Sequence, residues 1–179
     1  MKRRLSQLQR TAYHEAGHAV AACVMRHRFT RVTIEPEEDT LGKVNCARVP
    51  TYAPDVDRET STRVQTEKRV IVYLAGLIAE QTAAGCAFRG PGLSGDDLQK
   101  AYSYAGHMCG DDAETEAYVA WLWERTRLLV TFEPNWTVVE ALASELMKRK
   151  TIGERAARSI MGEARKNPFR QESAQGERR

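Results

Sequence analysis

Apolar residues recur at three- and four-residue spacing through most of the chain and alternate in only two short runs. The pattern predicts a mainly α fold with one small β-hairpin or sheet. A helix is expected over residues 5–28, where good helix formers run without proline. Residues 30–35 (T-R-V-T-I-E) alternate as a strand does, Pro36 with Glu37-Glu38-Asp39 makes a polar turn, and residues 43–49 alternate again, predicting a hairpin. Residues 51–57 read as loop, marked by Pro54. A long helix follows over residues 59–84, stopped by Gly85, and its segment V-I-V-Y-L-A at 70–75 is apolar on every side, as a central buried helix is. Residues 86–95 form a glycine-rich loop. Ser94 then stands as the N-cap of a helix reaching about residue 109, with Asp97 three residues on as in a capping box. Residues 114–132 and 135–150 read as a helical pair broken at Pro134, and Thr151 caps a last helix to about residue 164. The expected organisation is one domain over residues 1–164 and a basic, disordered tail over 165–179, with no internal repeat.

Composition narrows the classes. A chain of 179 residues, 42% hydrophobic and 28% charged, suits one globular core and excludes disorder over most of its length. Its longest apolar stretch, residues 70–79, is half of the roughly 20 residues a membrane helix needs, so no span is expected. Lys2, Arg3 and Arg4 are not followed by an apolar segment of signal-peptide type, so export is not expected either. The net charge of +3 is unevenly placed: residues 1–10 carry +4 and residues 165–179 carry +3, leaving −4 for the body between them. A nucleic-acid-binding domain needs a basic face on its folded part, which argues against that function. Cys23, Cys46, Cys86 and Cys109 lie at least 23 residues apart with no C-x-x-C pair, which fits neither a structural zinc site nor a disulfide scaffold. The expectation is reduced, mostly buried thiols in a cytoplasmic protein.

The chemistry concentrates in Tyr13-His14-Glu15-Ala16-Gly17-His18, an H-E-x-x-H sequence. On a helix, positions four apart share a face, so His14 and His18 can hold one zinc ion between their imidazoles. Glu15 sits beside them as a general base for a water whose pKa the metal lowers from 15.7 toward about 7. The bland alternative is a chance pair of polar histidines on an amphipathic helix; yet two of only four histidines fall in this pattern with the glutamate in place. Gly17 adds weight, because glycine inside a helix costs about 1 kcal/mol relative to alanine and is kept where another backbone or a substrate comes close.

Spacing alone leaves the third ligand open. The extended pattern H-E-x-x-H-x-x-G-x-x-H fails at Val24. Glu35, Glu37, Glu38 and Asp39 read as solvated turn charges, and His27 and His107 stand without a pattern around them. Asp97 is the best candidate, since helical spacing from it meets Ala101, Ala105 and Met108, an inward face where a carboxylate is costly unless paired. It also reads as an ordinary first-turn acid favoured by the helix dipole. Glu80, ending the apolar helix, either reaches solvent or orients a histidine from outside the ligand set.

These residues resemble the FtsH-type zinc metallopeptidase family. Thr11 to Val20 (T-A-Y-H-E-A-G-H-A-V), Val32-Thr33-Ile34-Glu35-Pro36 followed by Leu41-Gly42, Leu74 to Glu80 (L-A-G-L-I-A-E), and Ser94-Gly95-Asp96-Asp97-Leu98 are collinear with its motifs, over about residues 8–164. The resemblance implies a mostly helical peptidase domain, His14, His18 and Asp97 as Zn2+ ligands, Glu15 as the catalytic glutamate, and Glu80 as an acid near the site. Leu77 stands where the family usually has arginine, and Gln81 where it usually has an acid. The family joins this domain to transmembrane helices and an AAA+ ATPase; this sequence has neither, and no G-x-x-x-x-G-K-[ST] loop. The expectation is therefore an ATP-independent zinc endopeptidase acting on unfolded or flexible polypeptide substrates, with oligomerisation compatible but a hexamer not implied. The rival reading is a catalytically silent zinc-containing peptide-binding or regulatory module that works with a partner ATPase. Residues 44–49 could accept substrate as an added strand.

Overall fold

Ser6 opens the first helix. Its hydroxyl accepts from the Gln9 N–H at 3.2 Å while Gln9 Oε1 accepts from the Ser6 N–H at 2.9 Å, a reciprocal capping box. The computed structural model describes residues 5–36, 42–46, 60–86 and 95–166. Its elements are α1 (Gln7–Val24), β1 (Phe29–Thr33), β2 (Lys43–Cys46), α2 (Thr60–Ala83), α3 (Asp96–Gly106), α4 (Asp112–Thr131), α5 (Glu133–Arg149), β3 (Thr151–Gly153) and α6 (Glu154–Lys166). The protein is mainly α, with one three-stranded antiparallel sheet in the order β2-β1-β3.

α2 is the central helix the sequence predicts: Val70, Leu74, Ala75, Ile78 and Ala79 are fully buried, and α1, α3 and α4 all pack on it. α1 runs antiparallel to it in tight register. Arg10 meets Glu80, His14 meets Gly76 and Glu80, and His18 meets Gly76 and Val72, so each turn of α1 steps back one turn of α2. Close approach here requires Gly17. A Cβ on it would stand 2.6 Å from both Ala75 O and Ala79 Cβ, so the Gly17 expectation of a neighbouring backbone is met by α2. α5 covers the other side of α1, stacking Trp136 on Tyr13 at 5.9 Å between ring centroids.

The two expected strands pair antiparallel, with Val32 opposite Val44 and Thr33 opposite Lys43; the expected polar turn at Glu37-Glu38-Asp39 and residues 47–49 lie outside the described residues. The third strand is a correction. Thr151 does not cap the last helix; it pairs with Thr33 in β3, its hydroxyl 2.7 Å from Thr33 Oγ1 and donating to Glu35 at 2.8 Å. Those partners compete for the oxygen that a cap would have turned toward the α6 backbone. α6 itself starts at Glu154 and extends to Lys166, beyond the expected end. α3 is capped by Gly95 without a side-chain bond. The cap thus falls one residue later than the expected Ser94, and Asp97 is not three residues past it; Ser94 itself and residues 167–179 of the expected tail lie outside the described residues. The expected helical pair is present as α4 and α5, but the break falls at Phe132, and Pro134 sits in the first turn of α5, where its missing N–H is no loss. Cys23, Cys86 and Cys109 are free thiols, half-buried rather than buried. Among the described residues no helix is long and apolar enough to cross a membrane.

Candidate metal centre

His14 and His18 project from one face of α1 toward the start of α3. There His14 Nε2, His18 Nε2 and Asp97 Oδ2 lie 3.0 Å from one another. Three atoms from sites 4, 79 and 83 residues apart thus converge on a point. Ligand atoms about 2.0–2.1 Å from a tetrahedral metal are separated by about 3.3 Å, so the observed triangle is near the size such an ion needs. Asp97 takes the inward face that the sequence assigns it, with Ala101 and Ala105 fully buried along the same face. Its Oδ1 faces Lys100 Nζ at 3.6 Å.

Hydrogen bonds outside the triangle fix which nitrogens face it. His18 Nδ1 is 2.7 Å from the Val72 carbonyl, which can only accept, so Nδ1 carries a proton and Nε2 is the nitrogen that faces the triangle. His14 Nδ1 faces Glu80 Oε2 at 3.5 Å, and Glu80 Oε1 accepts from Arg10 Nε at 2.6 Å. Glu80 thus reaches a histidine rather than open solvent. Gly76 makes room for both rings: a Cβ there would stand 2.5 Å from His18 Nε2 and 2.9 Å from His14 Nε2.

Electrostatics follow from this crowding. Burial pushes the His14 pKa down, but bonding to Asp97 and Glu80 and the charge of Glu15 outweigh it and raise it to about 10. Burial would raise Asp97, yet the charge of His18 and hydrogen bonds from His14 and His18 hold it well below the usual carboxylate range. Glu80 is lowered, first by its bond with His14 and, against burial, by Arg10. Glu15 moves the other way: burial raises it, opposed by His18 and His14. Its Oε2 is buried and has no hydrogen-bond partner among the described residues. A buried carboxylate oxygen needs one, so a donor such as a water between Glu15 and the triangle suits this site. The donor set and this oxygen both fit a catalytic zinc, which takes three protein ligands and leaves one position for water.

The triangle opens on a cleft of about 500 Å³. Thr11 and Glu15 of α1, Tyr73 of α2, Asp96 and Lys100 of α3, and Gly42, Lys43 and Val44 at the start of β2 line it. Gly42 comes so close that a Cβ on it would stand 2.9 Å from Glu15 Oε1. The sequence placed His14, Glu15, His18, Asp97 and Glu80 here, and the structure brings all five together. Arg10, Gly76, the Val72 carbonyl and Lys100 were missed. Arg10 had a readable signal, since it stands one turn before His14 in an i, i+4, i+8 row with His18. His27 and His107 take no part in this group.

A helix bearing two histidines one turn apart is met by an aspartate from another helix, and the three side chains could hold one metal ion. The model of peptidase family M41 matches residues 3–113, and the chain belongs to that family. It is 29% identical over 155 residues to the ATP-dependent zinc metalloprotease FtsH of Magnetococcus marinus, covering 86% of this chain and 20% of the relative. It is 34% identical over 110 residues to FtsH 1 of Rhodopirellula baltica, with 58% of this chain and 14% of the relative covered. The ATP-dependent zinc metalloprotease YME1L of Drosophila melanogaster is 34% identical over 103 residues, covering 56% and 13%. The chain spans a fifth or less of the length of these curated relatives.

Proposed function

We propose that this chain is a zinc endopeptidase that hydrolyses peptide bonds in unfolded or flexible polypeptides without using ATP. The observation that carries the reading is the pairing of a 3.0 Å His14–His18–Asp97 triangle with a buried Glu15 oxygen that has no hydrogen-bond partner among the described residues. A zinc ion held by these three residues would polarise the scissile carbonyl and acidify the attacking water. Glu15 accepts a proton from that water as its oxygen bonds to the carbonyl carbon. It returns the proton to the amide nitrogen as the C–N bond breaks, leaving a carboxylic acid, whose remaining proton passes to the free amine, so that the products are a carboxylate and an ammonium. Burial raises the Glu15 pKa, which makes it a stronger base than a surface carboxylate. Glu80 and the Val72 carbonyl keep the rings turned, and Tyr73 and Val44 offer apolar walls.

β2 stands at the edge of the sheet and borders the cleft, so an extended substrate is expected to add to it as a strand, with main-chain recognition and loose side-chain preference. Such a mode demands an unfolded segment, which fits a peptidase working on flexible chains. A cytoplasmic setting belongs to the same reading, supported by the free thiols of Cys23, Cys86 and Cys109. Casein and unfolded peptides should be cleaved without nucleotide, and a zinc chelator should stop the reaction. Glu15→Gln should retain zinc and lose hydrolysis. Normal turnover in that variant removes Glu15 from the mechanism, whereas zinc binding with no cleavage by the wild type favours the silent-module alternative.

A further inference from the structure

Arg10 is the outermost member of a row that runs straight into the metal centre. It shares the face of α1 that carries His14 and His18 one and two turns on. Its Nε donates to Glu80 Oε1 at 2.6 Å, and its Nη2 reaches the same oxygen, so the guanidinium grips one oxygen with two nitrogens. That leaves Glu80 Oε2 aimed at His14 Nδ1, 3.5 Å away, while His14 Nε2 points to Asp97 and His18.

We propose that Arg10 is a positioning residue for the metal centre, acting through Glu80 on His14. The proposal rests on the zinc-site reading above. An exposed arginine on a surface glutamate would do little, but this glutamate is only 22% exposed and borders a ligand ring. With Oε1 fixed, the carboxylate has one oxygen left to face His14 Nδ1, which keeps the ring turned with Nε2 toward Asp97 and His18. Without Arg10, Glu80 is free to turn, and the ring orientation loosens. His18 needs no such relay, because the Val72 carbonyl in the α2 backbone holds it directly. The two histidines are therefore oriented by unlike devices, one rigid and one dependent on a side chain more than half exposed.

The test uses the full chain as Arg10→Ala, Arg10→Lys, Glu80→Ala and the double variant Arg10→Ala/Glu80→Ala. Zinc affinity is read by competition with a chromophoric chelator, ligand geometry by the visible spectrum of the Co2+ form, and folding by circular dichroism. Arg10→Ala should keep its helical signal, bind zinc about ten-fold or more weakly, in the range that loss of an outer hydrogen-bond partner costs, and shift the Co2+ bands. Arg10→Lys should recover part of the loss, since it restores charge but not the two-nitrogen grip. The double variant should bind no more weakly than Glu80→Ala alone, because the two residues act in series. Wild-type zinc affinity and an unchanged Co2+ spectrum in Arg10→Ala, or losses that add in the double variant, would overturn the proposal while leaving the zinc site intact. A wild type that binds no zinc would overturn the proposed function itself.

Discussion

Gly76 lies directly against His18: a Cβ on its Cα would stand 2.5 Å from Nε2, the nitrogen that faces the triangle. The ring cannot swing clear, because its Nδ1 is held 2.7 Å from the Val72 carbonyl one turn earlier on the same helix. Gly76→Ala should therefore displace both imidazoles. A loss of zinc affinity on the order of 100-fold is expected, the upper end of what disturbing a ligand's surroundings costs. Isothermal titration with zinc checks it; unchanged affinity would mean that α1 and α2 can part without harming the site.

Gly17 presents a competition between two effects. Alanine there gains about 1 kcal/mol of helix propensity, but its Cβ would meet the Ala75 carbonyl oxygen and Ala79 Cβ at 2.6 Å. Overpacking of this kind costs about 1–3 kcal/mol, and backbone yields less readily than a side chain. A net destabilisation is expected for Gly17→Ala in urea unfolding. Adding Ala79→Gly should restore only part of it, since the carbonyl contact remains.

Zinc should stabilise the folded chain, because the triangle exists only when α1 and α3 are assembled. At a thousand-fold excess over Kd the gain is about 4 kcal/mol, or roughly 8–16 °C in melting temperature for a domain of this size. Chelation should remove the shift, and Asp97→Asn should largely abolish it by withdrawing the anionic ligand. A variant that melts and responds to zinc like the wild type would refute Asp97 as a ligand.

Thr151→Val should cost about 1–2 kcal/mol. It deletes a hydroxyl bonded to Thr33 Oγ1, itself almost fully buried, and to Glu35. Urea unfolding should show the loss while zinc affinity stays at the wild-type value, since β3 does not border the cleft.

Much of this was legible because it depends on local spacing. His14 and His18 are four apart on a helix, Asp97 heads an inward face, and the apolar run at 70–75 marks the central helix. What escaped the sequence depends on register between segments far apart. Gly76 and Arg10 matter only once α1 and α2 are aligned turn by turn, and no period within either helix encodes that alignment. β3 is three residues long, too short for an alternating pattern, and Thr151 followed by Glu154 imitates a helix start. The partner that decided its fate, Thr33, is 118 residues away.

The same strand sets an order of events. β1 gains its second neighbour only once Gly153 has been made, and the Ile34 N–H then finds the Lys150 carbonyl at 2.9 Å. A chain still being synthesised, or one clipped ahead of that point, carries the whole H-E-x-x-H segment yet lacks the closing strand and the α5 wall behind Tyr13. The closing strand therefore depends on residues well past 113, where the match to the family ends.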